Sequence, residues 1–146
     1  MTIYALSAGP VISGVAVIRI SGLKTKEILE KITTGPFPEP RVASLKKIIE
    51  IQTKDLIDEG ILIWFPGPKS YTGEDMAEIH IHGSRAVIQS ILDNISKIEG
   101  CRIAEPGEFT KRAFQNEKIN LLKAESIGDL IASETEIQRK QALKIM

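Results

Sequence analysis

Apolar residues in this chain fall into two spacings, and each predicts its own kind of element. Residues 14–21 include Val15-Ala16-Val17-Ile18-Arg19-Ile20, β-branched and almost wholly apolar. This run predicts a buried strand with Val15, Val17 and Arg19 on one face. Residues 3–6 predict a shorter strand that ends at the breakers Ser7-Ala8-Gly9-Pro10. Further strands are expected over 42–51, with Lys46 and Lys47 exposed near its middle, and over 101–104. Another is expected over 60–65, closed by Pro66-Gly67-Pro68. Met76–His82 alternates strictly, with Ala77, Ile79 and Ile81 on one face and Met76, Glu78, His80 and His82 on the other.

The second spacing is helical. In 26–32, behind Thr25 as a candidate cap, Ile28, Leu29 and Ile32 form a stripe. In 84–98, Val87, Ile88, Ile91, Leu92, Ile95 and Ile98 form a longer one, and Gly100 supplies the stop. Glu105-Pro106-Gly107 turns the chain into a short helix over Glu108–Gln115. A last helix runs from about 124 to the end. Its Ala124, Ile127, Leu130 and Ile131 share one side, and the apolar pattern thins after Ser133. A long polar helix ending without a cap reads as the start of a longer protein. Strands mixed with amphipathic helices predict an α+β fold, a mixed β-sheet with packed helices.

Composition narrows the classes. The chain has 146 residues, 42% hydrophobic and 26% charged, enough for one domain with its own core. Lysine and arginine total 19 and so do the acids, which removes the simplest argument for a nucleic-acid module. The single cysteine, Cys101, can make no internal disulfide and reads as a small core residue in a reducing compartment. With no signal-type N-terminus and no long apolar run, a soluble, cytoplasmic protein is expected.

The candidate chemistry is sparse. His80 and His82 lie on one strand face about 7 Å apart, a spacing that can serve a metal. No distant ligand is identifiable, however, and a polar pocket wall is the preferred reading over a metal site or a bare solvated face. Ser7–Gly14 is glycine-containing but matches no phosphate-loop pattern and leads into a strand. Lys111, Arg112 and Lys118 could hold an anion, yet acids before bases along a short helix stabilise any helix, and that reading prevails. Arg19, inside an apolar strand, is expected to pair with an anion. No catalytic constellation is evident, so the chain itself is expected to have no catalytic activity.

Three runs together resemble one family. They are Val17-Ile18-Arg19-Ile20-Ser21-Gly22, Trp64-Phe65-Pro66-Gly67-Pro68-Lys69-Ser70-Tyr71-Thr72-Gly73-Glu74-Asp75, and Glu105-Pro106-Gly107-Glu108-Phe109-Thr110-Lys111-Arg112-Ala113-Phe114. They are similar to the N-terminal part of the tRNA-modification GTPases of the MnmE (TrmE) family. Ala124-Glu125-Ser126-Ile127-Gly128-Asp129-Leu130-Ile131 resembles the start of that family's central helical domain.

The resemblance implies a folate-binding, dimerising domain over 1–118, similar to the folate domain of aminomethyltransferases, and the beginning of a helical domain over 119–146. It implies 5-formyltetrahydrofolate or a related reduced folate as cofactor, with contacts at Arg19, Glu78 and Lys118 and no metal in this part. It also implies a homodimer, an MnmG-type flavoprotein partner, and tRNA bound through the full complex. GTP, magnesium and potassium would belong to a GTPase domain beyond this chain. Val11-Ile12, Gly83-Ser84 and Asn120 depart from the family's usual residues. The alternative is a dimerisation and partner-docking module with a degenerate folate pocket, which the altered loop at Val11-Ile12 would favour.

Overall fold

The computed structural model describes residues 1–8, 14–116 and 124–145, with side chains over 128–139 in the last helix. In chain order the elements are β1 (Thr2–Ala8), β2 (Val15–Ser21), α1 (Thr25–Ile32), β3 (Ser44–Ile49), β4 (Leu56–Phe65), β5 (Met76–His82), α2 (Arg85–Ser96), β6 (Cys101–Ile103), α3 (Glu108–Gln115) and α4 (Ala124–Ile145). The strands form one sheet in the order β3-β4-β5-β2-β1-β6. Neighbours run antiparallel except β1 and β6, which are parallel. This is the expected α+β architecture with a mixed sheet.

Strand alternation splits the apolar residues between two cores. Ile18, Ile20, Leu62, Ile79 and Ile81 meet Ile28, Leu29 and Ile32 of α1 and Ile88, Ile91 and Ile95 of α2. Each such side chain contributes roughly 1.5–3 kcal/mol on leaving water, so this layer supplies most of the driving force. A smaller cluster joins Ile3, Ala5, Met76 and Ala104 to Phe109 of α3. The helical stripes thus do what their spacing predicts, and Ser84 caps α2 by accepting a hydrogen bond from the Val87 N–H at 3.2 Å.

Several boundaries differ from the sequence expectation, each for a tertiary reason. β4 begins at Leu56, not at 60, because Asp58, a poor strand residue, is held across the sheet by the ring and the backbone N–H of His82 at 2.8 and 3.0 Å. β3 covers only Ser44–Ile49, and Lys46, half-buried, donates to the Pro36 carbonyl. Of 60–65, only Gly60, Leu62 and Trp64 are buried, and Ile61, Ile63 and Phe65 on the other face of β4 are half-buried. Cys101 packs half-buried at the edge of the main core, and burial pushes its thiol pKa up.

Thr25 does not cap α1 through its side chain. Its buried hydroxyl sits 2.8 Å from the Gly22 carbonyl and 3.0 Å from that of Asp75, tying the helix start to the loop before β5. Gly22 has φ +138°, and a Cβ there would lie 2.6 Å from the Thr2 Cα. Both the conformation and the close approach of β1 require glycine. The contact face of α4 extends past Ser133 through Glu134, Thr135, Ile137 and Gln138, all partly buried. Apolar periodicity misses this face because most of it is polar.

Candidate functional site

Sheet register brings Arg19 and Glu78 together. Ala5, Arg19, Glu78 and Ile63 form one row across β1, β2, β5 and β4, with Arg19 directly opposite Glu78. The next row on the same face holds Val17, His80, Ile61 and Leu45. This is the face turned away from α1 and α2. Over β2 and β5 it is only partly covered, so charged groups can remain there at low desolvation cost.

The Arg19 guanidinium lies 3.7 Å from the Glu78 carboxylate, and both side chains are about a quarter exposed. Its carbon lies 5.3 Å from the Tyr71 ring centre and 5.7 Å from that of Phe109, a double cation–π setting. The expected anion partner of Arg19 is therefore Glu78. The other Glu78 oxygen meets the His80 ring nitrogen at 3.2 Å. His82 turns to Asp58 instead, so the two histidines serve different carboxylates. Burial pushes the Asp58 carboxyl up, but its hydrogen bonds from His82 outweigh this and hold its pKa below the usual value. Among the described residues no group of three His, Cys, Asp or Glu is arranged to hold a metal. Lys118, the third expected contact, lies outside the described residues, as does the loop at Val11-Ile12.

The loop 66–75 and α3 frame this pair. The buried Ser21 hydroxyl lies 2.7 Å from both Thr72 Oγ1 and a Glu74 carboxylate oxygen. Arg112 donates to that Glu74 oxygen at 2.9 Å and to the Met1 carbonyl at 2.8 Å. Asp75 accepts the Gly67 N–H at 2.8 Å, and Asn116 donates to the Thr72 carbonyl at 2.7 Å. The Thr-Gly-Glu-Asp run is thus a clasp joining β2, α3 and the N-terminus, which places Tyr71 over Arg19.

Arg112 is not a solvated residue of a basic helix, as expected from its charge pattern. It is mostly buried against Glu74 and Glu108. Glu108 accepts two 2.7 Å bonds from the Arg102 guanidinium, and Arg102, the backbone N–H of Glu105 and the charge of Arg112 hold its pKa down at about 2.

Residues 2–118 match the family described as GTP-binding protein TrmE N-terminus. The chain belongs to that family. A tRNA modification GTPase MnmE of Pelagibacter ubique is 67% identical over 146 residues, covering 100% of this chain and 33% of that protein. Its counterpart in Brucella anthropi is 52% identical over 144 residues, 99% of this chain and 32% of the relative. A 5-taurinomethyluridine-[tRNA] synthase subunit GTPB3, mitochondrial, of Danio rerio is 50% identical over 145 residues, 99% of this chain and 29% of the relative. The chain spans about a third of the length of these relatives.

The sequence reading missed three residues around Arg19, two within this TrmE N-terminal region and one on α4 beyond it. Tyr71 and Phe109 sit inside the runs that carry the resemblance, yet no spacing rule pairs them with an arginine on another strand. Glu134 on α4 left no signal. Burial pushes its pKa up, opposed by a hydrogen bond from Thr110 and the charge of Arg19. Among the described residues no helix is long and apolar enough to cross a membrane.

Proposed function

We propose that this chain is the N-terminal part of a tRNA wobble-uridine modification GTPase, that it binds a formyl-tetrahydrofolate-type one-carbon donor, and that it mediates homodimerisation. The relatives' names support the tRNA-modification reading. The observation that carries folate binding is the Arg19–Glu78 pair, opposed on adjacent strands and a quarter exposed beside two aromatic rings.

Those residues fit a reduced folate. Such a ligand has a flat, donor-rich head, a formyl oxygen and a tail ending in carboxylates. Glu78 can accept head-group donors as charge-assisted bonds, and Arg19 can donate to an oxygen of the ligand. Lys118 supplies a second cation for the tail or the formyl oxygen. When bound, the folate supplies a one-carbon unit, and this chain holds and orients it. The GTP, magnesium and potassium sites belong to a GTPase domain outside this chain. An MnmG-type flavoprotein is the partner, tRNA is engaged by the full complex, and the setting is the cytoplasm.

Dimerisation is supported by the exposed apolar residues of the β3–β4 side, Val42, Leu45 and Leu56. A symmetric pair would use this patch twice.

Calorimetry with 5-formyltetrahydrofolate tests the folate reading. Charge-assisted contacts contribute roughly 1.5–3 kcal/mol each, so Glu78→Ala should weaken binding about tenfold to a hundredfold. Arg19→Lys should weaken it less, with both variants folded by circular dichroism. No binding at millimolar ligand, or equal affinity in Glu78→Ala, would leave a dimerisation and docking module with a degenerate pocket.

A further inference from the structure

A cavity of about 180 Å³ lies beside Arg19, between the sheet, α3 and α4, and its walls include Arg19, Phe109, Thr110, Leu130, Glu134 and Ile137. Two buried polar atoms of its lining side chains, Arg19 Nε and Glu134 Oε2, have no hydrogen-bond partner among the described residues. A buried polar group left unpaired is costly, so such atoms mark strain or a missing ligand. Here they are complementary, one a donor and one an acceptor, yet they do not satisfy each other.

Glu134 is held in place, not loosely buried. Its Oε1 accepts from the Thr110 hydroxyl at 3.0 Å, and Thr110 Oγ1 is 3.0 Å from the Tyr71 hydroxyl. The ring that stacks on Arg19 therefore anchors the carboxylate across the cavity. The helix carrying Glu134 is itself docked by close contact. The Gly107 N–H donates to Gln138 at 3.2 Å, and a Cβ on Gly107 would lie 2.6 Å from the Ile131 methyl. Burial pushes the Glu134 pKa up, as expected for a carboxylate kept where its charge is poorly solvated.

The chemistry of the walls selects the ligand. A phosphate or carboxylate would meet the Arg19 donor but face Glu134 as well. A cation would meet Glu134 but face Arg19. A neutral group with an acceptor beside a donor satisfies both, and Phe109, Leu130 and Ile137 offer apolar surface to a flat ring. The volume equals about six waters at ~30 Å³ each, room for a single head group and not for a whole folate with its tail.

We propose that Glu134 is a ligand-binding residue of the Arg19 site, and that Arg19 Nε–H and Glu134 Oε2 together take the carbonyl–N–H edge of a cyclic amide, the pterin head of the folate. The inference rests on the folate reading above and extends it, since the site then needs α4, which lies beyond residues 2–118. Glu78, near Nη2 of Arg19, remains for the other donors of the ligand.

The test is calorimetry and thermal melting of this chain and of Glu134→Gln and Arg139→Gln, with 5-formyltetrahydrofolate and its counterpart bearing an amino group in place of the pterin carbonyl. Arg139 pairs with Glu136 on the exposed side of the same helix and serves as the control. The expected result is binding at least tenfold weaker in Glu134→Gln and unchanged in Arg139→Gln. Glu134→Gln should melt no lower than wild type, because a buried charge is removed while the bond to Thr110 can be kept. The amino counterpart should bind wild type at least tenfold more weakly, because Arg19 would face a donor. Folate bound equally by wild type and Glu134→Gln would overturn the inference and spare the folate reading. Loss of binding together with a lowered melting temperature would make Glu134 merely structural and overturn it too. No binding by wild type at millimolar folate would remove both readings.

Discussion

Glu108→Gln is the sharpest test of how α3 is held beside the site. Glu108 Oε1 accepts from Arg102 Nη1 at 2.7 Å and from the Glu105 N–H at 2.9 Å. Its Oε2 accepts from Arg102 Nη2 at 2.7 Å and from Arg112 Nη2 at 3.2 Å. Glutamine keeps one acceptor and turns a donor toward guanidinium N–H groups. Hydrogen bonds to charged groups contribute roughly 1.5–3 kcal/mol, and partial solvent exposure of Arg102 reduces this toward the lower end. A loss of about 2 kcal/mol is expected. With unfolding entropy of roughly 2.1 cal/mol/K per residue over 146 residues, that lowers the melting temperature by about 6 °C.

The effect must depend on pH in one direction. The folded pKa is lowered from the ordinary 4.5 to about 2, chiefly by the Arg102 bonds. The ion pairs therefore stabilise the fold fully above about 4.5, and this contribution is lost as the pH falls toward 2. Melting followed by circular dichroism at pH 7, 4 and 2.5 should show the gap between wild type and Glu108→Gln closing as acid is added. Equal melting temperatures at pH 7, or a gap that stays constant on acidification, would refute the reasoning.

Gly107→Ala should destabilise by about 1–3 kcal/mol, since φ is +72° and the added methyl strikes Ile131. Hydrogen exchange should show α4 loosening more than α2, and uniform loosening would argue against the contact. For dimerisation, sedimentation equilibrium at high micromolar concentration should give twice the chain mass, and Leu45→Glu should shift it toward monomer. A clean monomer mass for wild type would remove that proposal.

Residues whose partners lie within one element were legible from the chain alone. Helical spacing gave α1 and α2 because a helix needs only one apolar stripe to find a core. Alternation in β5 put Glu78 and His80 on the face opposite Ala77 and Ile79, and an arginine within apolar β2 called for an anion. What no local pattern could supply was register. That Arg19 faces Glu78, and that the Asp58 carboxylate comes within reach of His82, follows from how β2, β4 and β5 slide into alignment, which is set by packing of the opposite face.

The same limit applies more strongly to polar contacts between distant segments. The charge order of Glu108, Lys111 and Arg112 read as an ordinary helix, yet Arg112 turns inward to Glu74, 38 positions away in the chain. Glu134 sits where the apolar pattern of α4 thins, and only docking of that helix against Thr110 brings it to Arg19. Periodicity reports which faces seek burial. It carries no information on which buried donor meets which acceptor, because hydrogen-bond partners are selected by geometry that exists only after the layers have packed.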